Sequence, residues 1–203
     1  MLSYHHLALL PRQARVLRKR VLPDIAGEQR AAHIWSAGCA SGEEPCTMKI
    51  AWDEAVARSI PGARLSIVAT DIDRAMLDRA RRGCFAPTSL RELPQHFVDQ
   101  AFDREGGLYC IKPRYREGVE FLHQNLRSEA PDRPFDLILC CYLAFTYFAK
   151  ALQQQVLTHL IDRLGPHGYL AIGTHVQLPI GAITLEPLPG CPQIFTRETV
   201  IGS

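Results

Sequence analysis

HIWSAGCASGEEP, residues 33–45, followed by LSIVATDID, residues 65–73, decides the fold. His33–Ser36 reads as a short strand that runs into a loop with glycines at 38 and 42. A helix is expected from Glu43 or Glu44 to about Ile60. Pro45 suits a first helical turn, the two acids sit at the positive end of the helix dipole, and Pro61-Gly62 ends the run. Leu65–Asp71 is a second strand, apolar almost throughout and therefore buried on both faces. Asp73 to about Arg82 is again a helix, with Asp73 as its cap and Gly83 as its stop. Strand and helix alternating in so short a span require a parallel sheet covered by helices.

The alternation continues along the chain. Val119–Asn125 and Phe135–Cys141 read as the third and fourth strands. Ala149–Leu164 reads as a helix with Leu152, Val156, Leu157, Leu160, Ile161 and Leu164 on one face. Gly165-Pro166-His167-Gly168 is a sharp turn, and Tyr169–Gly173 the fifth strand. Thr88–Arg116 is loop-rich, with a hairpin around Tyr109. Residues 182–200 suit a terminal antiparallel pair broken by Pro187, Pro189 and Pro192. Pro11–Leu22 is a helix stopped by Pro23, with Leu10, Ala14, Leu17 and Val21 on its apolar side. Right-handed crossovers then give a doubly wound, mostly parallel α/β sandwich of the Rossmann-like kind. Residues 1–30 form an N-terminal helical segment and residues 31–203 the ligand-binding domain. Ligands of such sheets bind beyond the carboxyl ends of the strands, here near residues 37–45, 71–74, 125–127 and 141–148.

The chain has 203 residues, 47% of them hydrophobic, enough to bury a core without metal or disulfides. No apolar run reaches the ~18 residues a membrane span needs, so membrane insertion is not expected. A net charge of +2 is too mild for a nucleic-acid partner. The basic residues nevertheless gather early: Arg12, Arg15, Arg18, Lys19, Arg20 and Arg30 stand against Asp24 and Glu28. This cluster reads as a solvated helix face, with a docking patch for an acidic partner as the alternative. In MLSYHHLALLPRQARVLRKR the basic cluster follows the apolar stretch, the reverse of a signal peptide, so secretion is not expected. Seven cysteines, an odd number without CxxC spacing, read as reduced thiols of a cytoplasmic protein and not as a metal site. Cys140 and Cys141 should point to opposite faces of their strand. Oligomeric state is left open.

The first loop has G-x-x-x-G spacing and lacks both G-x-G-x-x-G and a Walker lysine. Two acids at the helix start repel a pyrophosphate and suit a ligand with a cationic α-ammonium or sulfonium. The same residues also satisfy a plain glycine turn with acids matched to the helix dipole. Asp71 ends the second strand, where an acid can accept both ribose hydroxyls. A glycine loop after one strand and an acid after the next point to a nucleoside ligand, and the doubled acid favours S-adenosylmethionine over a dinucleotide.

GCASGEEP, ATDID, RRGCFAP, SLRELP, GLYCIKPRYREGVEF, HQNL, FDLILC and TYF occur in the order found in CheR-type methyltransferases, which the chain resembles over about residues 11–178. The resemblance implies S-adenosylmethionine as cofactor and methylation of a protein glutamate carboxylate or a related acidic acceptor. It implies a cofactor-binding set of Gly38, Ala40, Gly42, Glu43, Asp71, Asn125 and Leu126, with Tyr147 at the active-site mouth. Read by themselves, Asn125 is a turn residue and Tyr147 a core aromatic. Where the family usually has an Arg-Asn pair after the fourth strand, this chain has Cys141 and Tyr142. These two are expected at the catalytic mouth, with Tyr142 also reaching the cofactor. Most of the family's N-terminal helical domain is not found in this sequence, and YHHLALL stands in place of the T-x-F-F-R-like segment that normally precedes the helix. These departures raise an alternative: a non-catalytic domain that binds the cofactor as a sensor or scaffold. His123 and His175 read as structural groups and not as general bases.

Overall fold

The computed structural model describes residues 11–27, 30–141, 148–173, 178 and 185–197. In chain order, helix α1 (Pro11–Val16) continues through a π-helical stretch (Leu17–Val21) into α2 (Leu22–Ala26). β1 (Ala31–Ala37), α3 (Glu43–Trp52), a second π-helical stretch (Asp53–Ala57), β2 (Arg64–Asp71) and α4 (Arg74–Arg82) follow. Next come β3 (Cys84–Phe85), α5 (Gln95–Ala101), β4 (Phe102–Glu105) and β5 (Leu108–Ile111). The chain then forms β6 (Val119–His123), β7 (Phe135–Cys140), α6 (Lys150–Arg163), β8 (Leu164–Ile172), β9 (Leu185–Leu188) and β10 (Cys191–Arg197).

The main sheet has the order β6-β2-β1-β7-β8-β10-β9, parallel from β6 to β8 and closed by the antiparallel pair β10 and β9. Its strands are apolar because helices cover both faces. Ile34, Ile67, Leu137 and Leu139 pack with Leu17, Val21, Met48 and Trp52 on one side. Trp35, Val68, Ile138 and Leu170 pack with Val156, Leu157 and Leu160 of α6 on the other. The Trp35 indole, fully buried, donates to Thr70 Oγ1 at 2.9 Å, so its one polar atom is satisfied. Cys140 and Cys141 fall in the two opposite cores, as adjacent strand residues should. A second sheet, β3-β5-β4, is antiparallel and contains the expected hairpin near Tyr109, turned at Gly106-Gly107.

Three expectations need correction. Pro23 does not stop the first helix. The widened π turn lets the Leu22 N–H reach Leu17 O, and Pro23 then opens α2 without leaving a ladder bond broken. The fifth strand begins at Leu164: the Gly165–Gly168 turn is a bulge within it, and the register to β7 jumps from Phe135↔Leu164 to Leu137↔Tyr169. The cysteines are not all reduced. Cys84 and Cys110 are register partners across β3 and β5 and form a disulfide, a pairing set by sheet register across 26 residues and invisible in local spacing. The inference from uniformly reduced thiols to a reducing compartment loses its support. Among the described residues no helix is long and apolar enough to cross a membrane.

The N-terminal helices are fastened at three levels. Leu17, Val21, Leu22 and Ala26 are fully buried in the core shared with β1, β2 and β7. Gln13, itself buried, donates from Nε2 to Ile172 O at the end of β8 at 2.7 Å. The Tyr169 hydroxyl donates to Asp24 Oδ2 at 2.6 Å, and burial together with this carboxylate pushes the phenol up to about 12. Leu17→Ala should therefore cost about 2–5 kcal/mol of stability, read by urea denaturation; a cost under about 0.5 kcal/mol, as at a surface position, would mean that the helix rests loosely on the domain.

Candidate active site

The loop after β1 is shaped by the strand beside it. The Gly38 and Cys39 N–H groups both donate to Thr70 O, at 2.8 and 2.9 Å. Gly38, Ala40 and Gly42 have φ of 81°, 46° and 90°, so the loop coils through the left-handed region three times. Ala40 has a Cβ and is disfavoured there. It is held because its N–H donates to Asp71 Oδ2 at 2.8 Å. The other carboxylate oxygen, Oδ1, accepts from Asp73 N at 2.9 Å, and Asp71 O accepts from Gln124 N at 3.1 Å. One residue thus joins the loops after β1, β2 and β6. Asp73 caps α4 as expected, its Oδ1 accepting from Ala75 N and Met76 N.

Beside this junction lies a depression of about 190 Å³, lined by Gly38, Thr70, Asp71, Gln124, Asn125, Leu126 and Phe148 among others. Gly38, Asp71, Asn125 and Leu126, four residues singled out from sequence, meet here. Asn125 also makes a turn: its Oδ1 accepts from Arg127 N at 3.1 Å and its N–H donates to Glu129 Oε2 at 2.8 Å. The Arg127 guanidinium lies 5.2 Å from the Phe148 ring centre and closes the rim. Gln124 was not foreseen. Its Oε1 is buried and has no hydrogen-bond partner among the described residues, an acceptor waiting for a donor.

Other expected residues stand apart from this wall. Gly42 is needed for packing: a Cβ there would lie 2.8 Å from Ala80 Cβ on α4. Glu43 is half-buried at the start of α3, with the Ser41 hydroxyl 2.8 and 3.0 Å from its two carboxylate oxygens. Cys141 is a correction. It lies in the core at 3% exposure with its thiol bonded to Glu44, and burial pushes that thiol well up, so it cannot present itself to an acceptor at the mouth. Tyr142, Tyr147 and His175 lie outside the described residues.

Glu44 is the larger omission. Helical spacing places it one turn before Met48 and two before Trp52, on the buried stripe of α3, so the pattern held the signal. Its Oε1 accepts from the Ser36 hydroxyl at 2.7 Å, and the Cys141 thiol is its second partner. Burial raises its pKa, while both hydrogen bonds act to lower it. No group of three or more His, Cys, Asp or Glu able to hold a metal is found among the described residues.

Residues 10–188 match the family described as CheR methyltransferase, SAM binding domain. The chain belongs to the CheR methyltransferase family. It is 36% identical over 171 residues to chemotaxis protein methyltransferase 1 of Pseudomonas aeruginosa, covering 80% of this chain and 62% of that protein. It is 33% identical over 164 residues to the chemotaxis protein methyltransferase of Listeria innocua, covering 80% of this chain and 61% of the relative. The chain thus spans about three fifths of the length of these CheR relatives. A SAM-dependent methyltransferase from Thiobacillus denitrificans in complex with S-adenosyl-L-homocysteine superposes with a TM-score of 0.48 at 15% identity, over 84% of this chain and 51% of that one. The match to a methyltransferase domain lends no support to the alternative of a non-catalytic sensor or scaffold.

The residues present fit S-adenosylmethionine. Asp71 keeps lone pairs free after accepting two N–H groups, and Gln124 Oε1 lacks the donor that an adenine amino group or a ribose hydroxyl carries.

Two outcomes follow from this geometry. Gly42→Ala forces a side chain into Ala80 at a left-handed φ, and should cost about 1–3 kcal/mol, measured by denaturant midpoint. An acid whose folded pKa is raised holds its proton more tightly folded than unfolded. The Glu44 site is therefore unpenalised below its ordinary value of 4.5 and loses stability as pH rises through the raised value. Glu44→Gln should remove that slope, and its advantage in melting temperature should grow from acid toward alkaline pH. A difference that stays constant with pH would contradict the buried-acid reading.

Proposed function

We propose that this chain is the catalytic domain of an S-adenosylmethionine-dependent methyltransferase that esterifies a glutamate carboxylate on a protein partner. The observation that carries the reading is Asp71, which ties the glycine loop to the end of β2 at the rim of the depression while keeping acceptor capacity. In this reading Asp71 takes the ribose hydroxyls, Asn125 and Leu126 flank the adenine, and Gln124 accepts from the nucleoside. Glu43 stands at the start of α3 with a charge that suits the cationic methionine end. Gly38 and Ala40 shape the loop, and Gly42 lets that loop approach α4.

S-Adenosylmethionine supplies an electrophilic methyl carbon: a carboxylate oxygen forms the new C–O bond, the C–S bond breaks, and its electron pair stays on sulfur. No proton moves, so the chain needs no general base. Its work is to hold the two partners in line and keep water away. Phe148 and Arg127 at the rim and Leu126 in the wall contribute to the second task. The glutamate acceptor is supported by the names of the relatives, which are chemotaxis protein methyltransferases. Tyr147 and Tyr142 are assigned to the acceptor side of the mouth on the motif alone.

The test uses methyl-labelled S-adenosylmethionine and glutamate-containing receptor helices. Label released as methanol by mild alkali is expected, because the product is an ester; alkali-stable label would overturn the carboxylate acceptor. Asp71→Asn should weaken binding of S-adenosylhomocysteine by about 1.5–3 kcal/mol, or roughly ten- to a hundredfold. Unchanged affinity would remove the ribose role. Glu43→Gln should weaken binding while leaving the melting temperature nearly unchanged; the reverse pattern would reduce Glu43 to a partner of the helix dipole.

A further inference from the structure

The N-terminal helices carry a second concavity, separate in its lining from the depression at Asp71. It is a cleft of about 310 Å³ formed by Arg12, Arg15, Lys19 and Arg20 with Val16 on one side and the Pro189-Gly190 turn between β9 and β10 on the other. All four cations are exposed, and Arg12 Nη2 comes to the turn at Gly190. Among the described residues none of the four is paired with a carboxylate. The basic residues Lys49, Arg58, Arg81, Lys112, Arg133 and Arg163 are paired elsewhere. Asp24, further along the same helical run, is engaged by the Tyr169 hydroxyl.

Such an arrangement works against the helix. Arg12 and Arg15 are three residues apart, Arg15 and Lys19 four, and like charges at these spacings repel across one helical turn. The repulsion is relieved when an anion enters the cleft. Size and shape select the anion. The first and last of the four cations are eight positions apart, about 12 Å along the helix at ~1.5 Å per residue, too short for a polymer track. The surface is concave, with a volume in the range of small-molecule pockets. Three guanidinium forks match phosphate oxygens in pairs, and Val16 and Pro189 offer an apolar wall to the body of an organic ligand.

We propose that this cleft binds a compact phosphate-bearing anion of nucleotide size. The class is a nucleoside polyphosphate or a similar organic polyphosphate, and the site owes nothing to the methyl-transfer chemistry.

Calorimetric titration with GTP, and separately with inorganic tripolyphosphate, tests it on protein saturated with S-adenosylhomocysteine, which keeps the adenosine-binding depression closed to the probe. One-to-one binding of both probes is expected, weakening steeply with added salt. The variant Arg12→Gln/Arg15→Gln/Lys19→Gln should bind both at least about tenfold more weakly, with unchanged affinity for S-adenosylhomocysteine and an equal or higher melting temperature, since repulsion is removed. Failure of both probes to bind more tightly than inorganic sulfate overturns the proposal. So does equal binding by the variant, or binding of an acidic peptide or a nucleic acid where the compact probes fail. Tripolyphosphate carries no nucleoside, so a failed assignment of the methyltransferase site would not alter its result.

Discussion

A single carboxylate organises the carboxyl edge of this sheet. Asp71 accepts from the backbone of the first loop through one oxygen and from the start of the next helix through the other, and its carbonyl holds the segment after β6. Without the first of these bonds, Ala40 has no reason to remain at a positive φ, and the path from Gly38 to Gly42 loses its shape. The depression beside Asp71 exists because these three loops are held at fixed separation. In the proposed reading the ligand-binding acid is also the structural clamp, so substitutions there should act on shape and on affinity together.

Behind that edge, buried polar groups find partners. Ser36 and Cys141 surround Glu44 between the ends of β1 and β7, and Gln13 closes on the end of β8. Each sits where a helix start meets a strand end, the part of a doubly wound fold with the most unsatisfied backbone and the greatest need for side-chain partners. The N-terminal helices belong to this system. Their apolar face completes the core over β1 and β7, which leaves the opposite, basic face turned outward.

Much of the architecture was legible because its signals are local. Alternation of apolar strands with capped helices located β1, β2, β7 and α6, and Asp73 and Gly83 announced the ends of α4 in the expected way. What escaped depends on pairing over distance. The Cys84–Cys110 bond follows from register between β3 and β5, and the early start of β8 from its pairing with β7 across a bulge. Proline rules failed at Pro23 because they assume an α turn where the chain makes a wider one. At the site, Gly38 and Asp71 are legible from their places after β1 and β2, Asn125 and Leu126 only from the family motif, and the four line one depression. Gln124 and Glu44 were passed over for opposite reasons. Gln124 lies beside a more recognisable asparagine and shows its meaning only as an unsatisfied atom. Glu44 shares a doublet with Glu43, and only the helical stripe through Met48 and Trp52 separates the buried acid from the half-buried one. Cys141 was placed at the mouth by its motif position, whereas the alternation of the strand turns it into the core.

The most direct measurement is a crystal structure of the chain with S-adenosylhomocysteine. The proposed site requires the nucleoside in the depression between Asp71 and Asn125–Leu126, with a ribose oxygen bonded to Asp71, the Ala40 and Asp73 N–H bonds retained, and a donor on Gln124 Oε1. A nucleoside bound elsewhere, or an Asp71 that releases Ala40 to accept the ribose, would contradict it.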